Sequence, residues 1–197
     1  MVLLKEKNII FIHIPRTSGT SIESNLGVNL DKMKSQKHLR ASQIKNLAGE
    51  TGWLNAFKFS IVRNPWERVI SLYNQKAFAS INAISKKSLY YFLKNYEPKS
   101  WENGYTCSDY IDEKIDFIAK FEERENDLTY LSEKIGINLL NNKHERKGEK
   151  RKKWELFYNE KTFEIVSKLY KKDIKRFDYD ESLFFRKVFQ CKNLFGF

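Results

Sequence analysis

The sequence predicts an α/β protein: a parallel sheet with helices packed on it, built as one domain over residues 1–197. Three observations lead there. Short apolar, β-branched runs end in polar turns that open helices, and this unit recurs along the chain. The length of 197 residues suits one domain with a real core. No internal repeat and no linker composition divides it.

The first strand is expected from Asn8 to Ile14, a buried run that stops at Pro15. The polar turn Pro15 to Ser21 follows, then a helix from Thr20 to about Leu26. Residues 29–38 are polar and lysine-rich and read as a loop. A short helix is expected from Ala41 to Leu47. Phe57 to Val62 is a second buried strand, broken at Arg63-Asn64-Pro65, and a helix starts near Trp66 with Pro65 in its first turn. Ser85 to Tyr96 reads as a further helix and residues 97–108 as a long loop. Ile115 to Phe121 is a third strand and Glu123 to Ile135 a helix. Phe163, Val166, Tyr170, Ile174 and Phe177 recur at helical spacing and predict one long amphipathic helix.

Composition limits the partners. Lys and Arg exceed Asp and Glu by eleven charges, which favours anionic partners such as nucleotides, nucleic acids or acidic glycans. Abundant aromatics and only three prolines argue against gross disorder. Cys107 and Cys191 are too few for a disulfide framework or a zinc site. The amino-terminal run is short, charged and followed by a turn, which does not read as a secretory signal. No stretch is long enough to span a bilayer, so a soluble cytoplasmic protein is expected.

Two segments carry chemistry. In Ile12-His-Ile-Pro-Arg-Thr-Ser-Gly-Thr-Ser-Ile-Glu23 a strand runs into a tight turn that opens a helix. Such a turn aims backbone N–H groups and the positive helix end at one point. Gly19 would allow close approach of an anion, Thr17, Thr20 and Ser21 offer hydroxyls, and Arg16 adds a permanent cation. An ordinary helix start after a strand is the competing reading. The pattern G-x-x-x-x-G-K-[ST] is absent, which counts against an ATP-driven kinase. In Phe59-Ser-Ile-Val-Arg-Asn-Pro-Trp-Glu-Arg-Val-Ile-Ser-Leu-Tyr73, Arg63 stands at a strand end and can hold a phosphate bidentately, with Ser71 two helical turns on. Arg68 reads as a structural ion-pair residue, and Trp66 and Tyr73 as core.

Together these segments resemble the sulfotransferases that use 3′-phosphoadenylyl sulfate (PAPS), most closely the carbohydrate-type branch. That family carries patterns like I-H-I-P-K-T-G-G-T-S and V-R-N-P-x-x-R-x-x-S-x-Y. Lys37-His-Leu-Arg-Ala-Ser-Gln-Ile44 looks like its histidine-bearing segment. Asp116-Phe-Ile-Ala-Lys-Phe-Glu122 is similar to its F-I-G-R-F-E, and Tyr170 to Tyr179 resembles its closing helix. The resemblance implies a P-loop-like α/β fold and sulfuryl transfer from PAPS to a hydroxyl or amine of an unidentified acceptor, with a carbohydrate as one candidate class. The product nucleotide is adenosine 3′,5′-bisphosphate (PAP). It implies that residues 15–21 (Arg16, Thr17, Ser18, Gly19, Thr20 and Ser21 among them) hold the 5′-phosphosulfate, and that Arg63 and Ser71 hold the 3′-phosphate. Arg16 stands where the family has lysine, and Ser18 where it has its first glycine.

Sulfuryl transfer asks the protein to position reactants and stabilise charge. No metal is expected, and no nucleic-acid partner. His38 is the candidate general base, because imidazole titrates near neutral pH and related enzymes use a histidine in the similar segment. Arg16 is the second catalytic candidate. Glu23 is a weaker candidate base, with a helix-surface carboxylate as its ordinary reading, and His13 is expected to be structural. The run Lys143 to Lys153 carries seven Lys or Arg against two Glu. It reads as a solvated loop by default, though Arg146-Lys-Gly148 resembles a 3′-phosphate contact of the cytosolic branch. Trp101 and Tyr105 could stack on a sugar or belong to a satellite core. The apolar tail Phe184 to Phe197 is expected to pack on its own domain. The competing functions are a non-catalytic anion binder on the same fold and a P-loop-type nucleotide kinase.

Overall fold

The computed structural model describes residues 2–4, 7–28, 38–79, 88–94, 96, 105–140 and 153–195. The chain divides into two compact units, Met1–Arg63 with Cys107–Lys147, and Asn64–Thr106 with Gly148–Phe197.

The first unit holds the sheet. β1 (Val2–Leu4), β2 (Ile9–Ile12), β3 (Phe57–Val62) and β4 (Phe117–Lys120) lie side by side in that order. β2, β3 and β4 are parallel, and β1 is an antiparallel edge on β2. The fold is therefore α/β with a parallel sheet, as expected, plus an antiparallel edge that composition does not announce. The register pairs Ile12 with Ser60 and Val62 with Lys120.

Side chains alternate across a strand. Ile9, Phe11, Phe59, Ile61 and Ala119 share one face and pack with Ile22 and Leu26 of the α1 segment and Leu128 and Leu131 of α6. Here α1 is Gly19–Asn25, ending at Leu26, and α6 is Arg124–Ile135. On the opposite face Lys58 turns to α2 (Ala41–Asn55), where its ammonium bonds the Trp53 carbonyl at 3.2 Å. Gly49 leaves helical geometry (φ +73°, ψ 163°), so α2 is two helical pieces joined at a kink: the first breaks two residues past the expected end at Leu47, and a second piece runs on to Asn55. Ser42 ties the start of α2 to Asp112, through its amide (2.8 Å) and hydroxyl (2.6 Å).

The second unit is helical: α3 (Pro65–Ala79), α4 (Leu89–Lys94), α7 (Glu160–Leu169), α8 (Lys171–Arg176) and α9 (Glu181–Phe195). A four-residue helix α5 (Cys107–Tyr110) belongs to the first unit. The wholly buried Trp66 is the centre of the second unit. Its ring stacks on Phe163 at 4.8 Å and on Phe184 at 5.1 Å, and its carbonyl accepts the Tyr158 hydroxyl at 2.8 Å. The single amphipathic helix expected through Phe163 and Phe177 is two helices. Tyr170 leaves helical geometry (φ −109°, ψ 19°) and is buried, with its hydroxyl 2.6 Å from that of Tyr96. The tail folds as α9. Val188 is buried and Phe184 packs on Trp66, while Leu183 and Phe185 stay exposed. Arg68 is fully buried, and its guanidinium holds the Tyr105 carbonyl at 3.0 Å. Among the described residues no helix is long and apolar enough to cross a membrane.

Candidate active site

The carboxyl ends of the parallel strands converge, and the residue that follows each strand matters. His13 follows β2, Arg63 follows β3, and Phe121 follows β4. In open parallel sheets this edge is where ligands are received.

The turn after β2 is held from inside. Thr17 is buried, and its hydroxyl donates to the Ile14 carbonyl at 2.9 Å. That hydroxyl is thus engaged within the turn, and what Thr17 offers an anion is its backbone. Arg16 and Ser18 both take φ +69°, with Thr17 between them outside the left-handed region. Alternation of this kind bends successive N–H groups toward a common point and makes an anion-binding concavity. Ser18 caps α1 in the left-handed conformation with no side-chain capping bond. The first helical bonds run from the Ser21 and Ile22 amides to the Ser18 carbonyl, at 3.0 and 3.4 Å. Thr20 is exposed and Ser21 half-buried on the first turn.

Gly19 also answers a packing need, beside the one inferred from the motif. Its φ lies outside the left-handed region, and a β-carbon there would overlap the imidazole of His13. The expectation that Glu23 lies on the helix surface is overturned. Glu23 is 1% exposed and His13 3%, with Glu23 Oε1 2.8 Å from His13 Nδ1. Helical spacing alone did not place Glu23 against the strand, because the turn at 15–18 sets which way α1 faces.

Arg63 is nearly buried, and its Nη1 donates to the Arg16 carbonyl at 3.1 Å. The guanidinium carbon lies 4.0 Å from the centre of the Phe121 ring. The two cationic motifs thus meet: the second one braces the backbone of the first. Phe121 escaped the sequence reading as a site residue, since an aromatic at a strand end reads as core. His38 is half-buried, with Nδ1 3.2 Å from the His13 carbonyl and its ring edge-on to that of His13, centroids 4.6 Å apart.

Ser71 lies half-buried on α3, in the second unit. Trp101, His144, Arg146-Lys-Gly148 and all of the basic run except Lys153 fall outside the described residues. Among the described residues no group of three or more His, Cys, Asp or Glu could hold a metal ion.

A turn between a parallel strand and a helix, with an arginine from the next strand against it, defines a P-loop-like α/β protein. A family model described as the sulfotransferase family matches residues 1–180, and the chain belongs to that family. Membership supports a sulfotransfer activity and a transferase enzyme. No curated protein and no solved structure matches the chain.

Proposed function

We propose that this protein transfers a sulfuryl group from PAPS to a hydroxyl or amine of an acceptor, a carbohydrate being the first class to test. The observation that carries this reading is the bond from Arg63 to the Arg16 carbonyl. It puts a permanent cation beside a turn whose alternating φ signs suit a phosphate or sulfate group. Both belong to one unit, so the cradle is built locally.

The residues divide the work as follows. The backbone of residues 15–21 receives the 5′-phosphosulfate, and Arg16 places positive charge where the leaving phosphate gains negative charge. Arg63 serves the 3′-phosphate while its ring partner Phe121 limits its swing. The family pattern gives Ser71 the same phosphate, an assignment with its own test. When bound, PAPS supplies the sulfuryl group and PAP leaves. His38 takes the acceptor proton. Its Nδ1 faces the His13 carbonyl, so that nitrogen carries the hydrogen and Nε2 carries the lone pair. Arg16 stays charged throughout, since a guanidinium does not deprotonate, and it acts as an electrostatic group and not as a proton donor.

Calorimetric titration with PAP beside ATP is the test. PAP should bind more tightly, with no metal added. Arg63→Lys should weaken PAP more than adenosine 5′-phosphate, because a lysine cannot offer a planar fork. Ser71→Ala should narrow the same preference without touching the turn. Tighter binding of ATP that depends on Mg²⁺ would replace this reading with a kinase. Steep salt dependence without preference for PAP would replace it with a plain anion binder.

A further inference from the structure

His13 and Glu23 form a buried carboxylate–imidazole pair that the anion cradle does not require. Glu23 Oε1 is 2.8 Å from His13 Nδ1, and neither side chain is more than 3% exposed. Desolvating two such groups costs several kcal/mol per ion when both are charged, and the attraction between them repays this only with good geometry. Apolar residues of the same volume would serve a purely structural core at least as well. The pair lies directly behind His38. The His13 carbonyl is 3.2 Å from His38 Nδ1, and the two rings meet edge to face at 75°. Gly19 closes the other side of the His13 ring.

We propose that Glu23 and His13 are a positioning pair for His38. The carboxylate lies 2.8 Å from His13 Nδ1 and fixes that ring from one side as an ion-pair contact. The His13 carbonyl and ring then hold the His38 imidazole at two points. A single bond of 3.2 Å would leave His38 free to rotate about it. A second contact fixes the ring plane and keeps the lone pair on Nε2. This role rests on the reading of His38 as the base, and it assigns Glu23 and His13 no contact with substrate. Alignment at this level matters, since a misplacement of about 1 Å can cost on the order of 10²-fold in rate.

The chain has three histidines, so ring nitrogens can be followed individually in the full-length protein labelled with ¹⁵N-histidine. His38→Ala assigns the signals. At about pH 8, where free imidazole is neutral, wild-type His38 should show the Nδ1–H tautomer and cross-peaks to the His13 ring. Glu23→Gln removes the carboxylate charge, and His13→Asn keeps a donor for Glu23 while deleting the ring. In either variant the His38 signals should move toward the Nε2–H form that free imidazole favours. PAP affinity of Glu23→Gln should stay within about twofold, as the cradle is untouched. His38 signals unchanged in a folded variant would overturn the proposal, because the His13 backbone carbonyl, present in both, would then suffice alone. If neither variant folds, the wild-type spectrum decides, and an Nε2–H tautomer for His38 would overturn it. Failure of the wild type to bind PAP would instead remove the donor assignment and leave the tautomer result standing.

Discussion

Gly19 lies against the imidazole of His13 so closely that any β-carbon at position 19 would overlap the ring. Gly to Ala inside a helix usually stabilises by about 1 kcal/mol. Here the overlap reverses the sign. Gly19→Ala should destabilise the protein by about 1–3 kcal/mol, the ordinary range for an overpacked site. A urea melt checks this through its midpoint. A variant as stable as wild type would mean that the turn yields and that Gly19 is not held by His13.

Ser18 sits at φ +69°, ψ 15°, without a capping bond. A non-glycine residue there pays about 1–2 kcal/mol for the contact between its Cβ and the carbonyl. Glycine relieves that strain, although it also gains freedom in the unfolded chain. Ser18→Gly should therefore raise stability by up to about 1 kcal/mol, or roughly 2–4 °C in Tm for a chain of this size. Arg16, also at φ +69°, makes two strained residues within three. Strain of this kind collects at ligand-binding sites. A melting point unchanged or lowered in Ser18→Gly would show that the serine hydroxyl compensates.

Much of the first unit was legible because its signals are local. Phe57–Val62 was read at its observed bounds, since a buried run stopped by Arg-Asn-Pro has few alternatives. The turn at 15–21 was legible from residue types alone. What escaped depends on partners far apart in sequence. β1 is three residues long and exists through pairing with β2. Glu23 reads as a surface acid until the turn swings α1 so that it meets His13. Arg16 and Arg63 were each legible as anion groups, but nothing in either motif says that one would donate to the other's carbonyl across 47 positions. The break at Tyr170 was hidden because the apolar spacing continues through it.

Lys58 is a strand residue with a buried ammonium. It donates to the Ala56 carbonyl at 2.6 Å and the Trp53 carbonyl at 3.2 Å, and pairs with Asp116 at 2.9 Å. The Asp116 side chain is 43% exposed, so water screens the pair and its share is below about 1 kcal/mol. The two carbonyls carry the rest, because Lys58→Met leaves them without their donor. That substitution should cost about 1–3 kcal/mol. In a double-mutant cycle the coupling to Asp116→Ala should stay under about 1 kcal/mol. A larger coupling would show that the charge pair dominates.

Asp180 caps α9. Its carboxylate accepts from the Ser182 hydroxyl at 2.7 Å and the Leu183 amide at 3.1 Å. The Ser182 hydroxyl bond, followed by the Leu183 amide, holds its pKa below the ordinary aspartate value of 3.8. A depressed folded value contributes stability that is present above pH 3.8 and is lost as pH falls through the folded value. Asp180→Asn keeps an acceptor for the helix but cannot titrate. Its stability should thus fall less steeply than that of wild type on acidification below that point. Parallel acid unfolding curves for the two proteins would exclude Asp180 as a contributor.

Tyr158 and Tyr170 set the alkaline limit of the second unit. Burial pushes both phenols well above the ordinary value of 10, and Tyr96 adds to the rise in each. Arg68 works the other way on Tyr170 without overcoming it. The unfolded chain releases these protons near pH 10, while the folded chain keeps them. Above that pH the folded state binds more protons than the unfolded state, so stability must fall as pH rises. Phenolate absorbance from the buried pair should therefore appear only as the helices melt. Tyr170→Phe removes one titrating group along with its bond to Tyr96. It should lower stability at neutral pH by about 0.5–1.5 kcal/mol, the typical net value of one hydrogen bond, and make the alkaline decline shallower. Ionisation of Tyr158 and Tyr170 with helical circular dichroism intact would show that neither phenol is sealed from solvent.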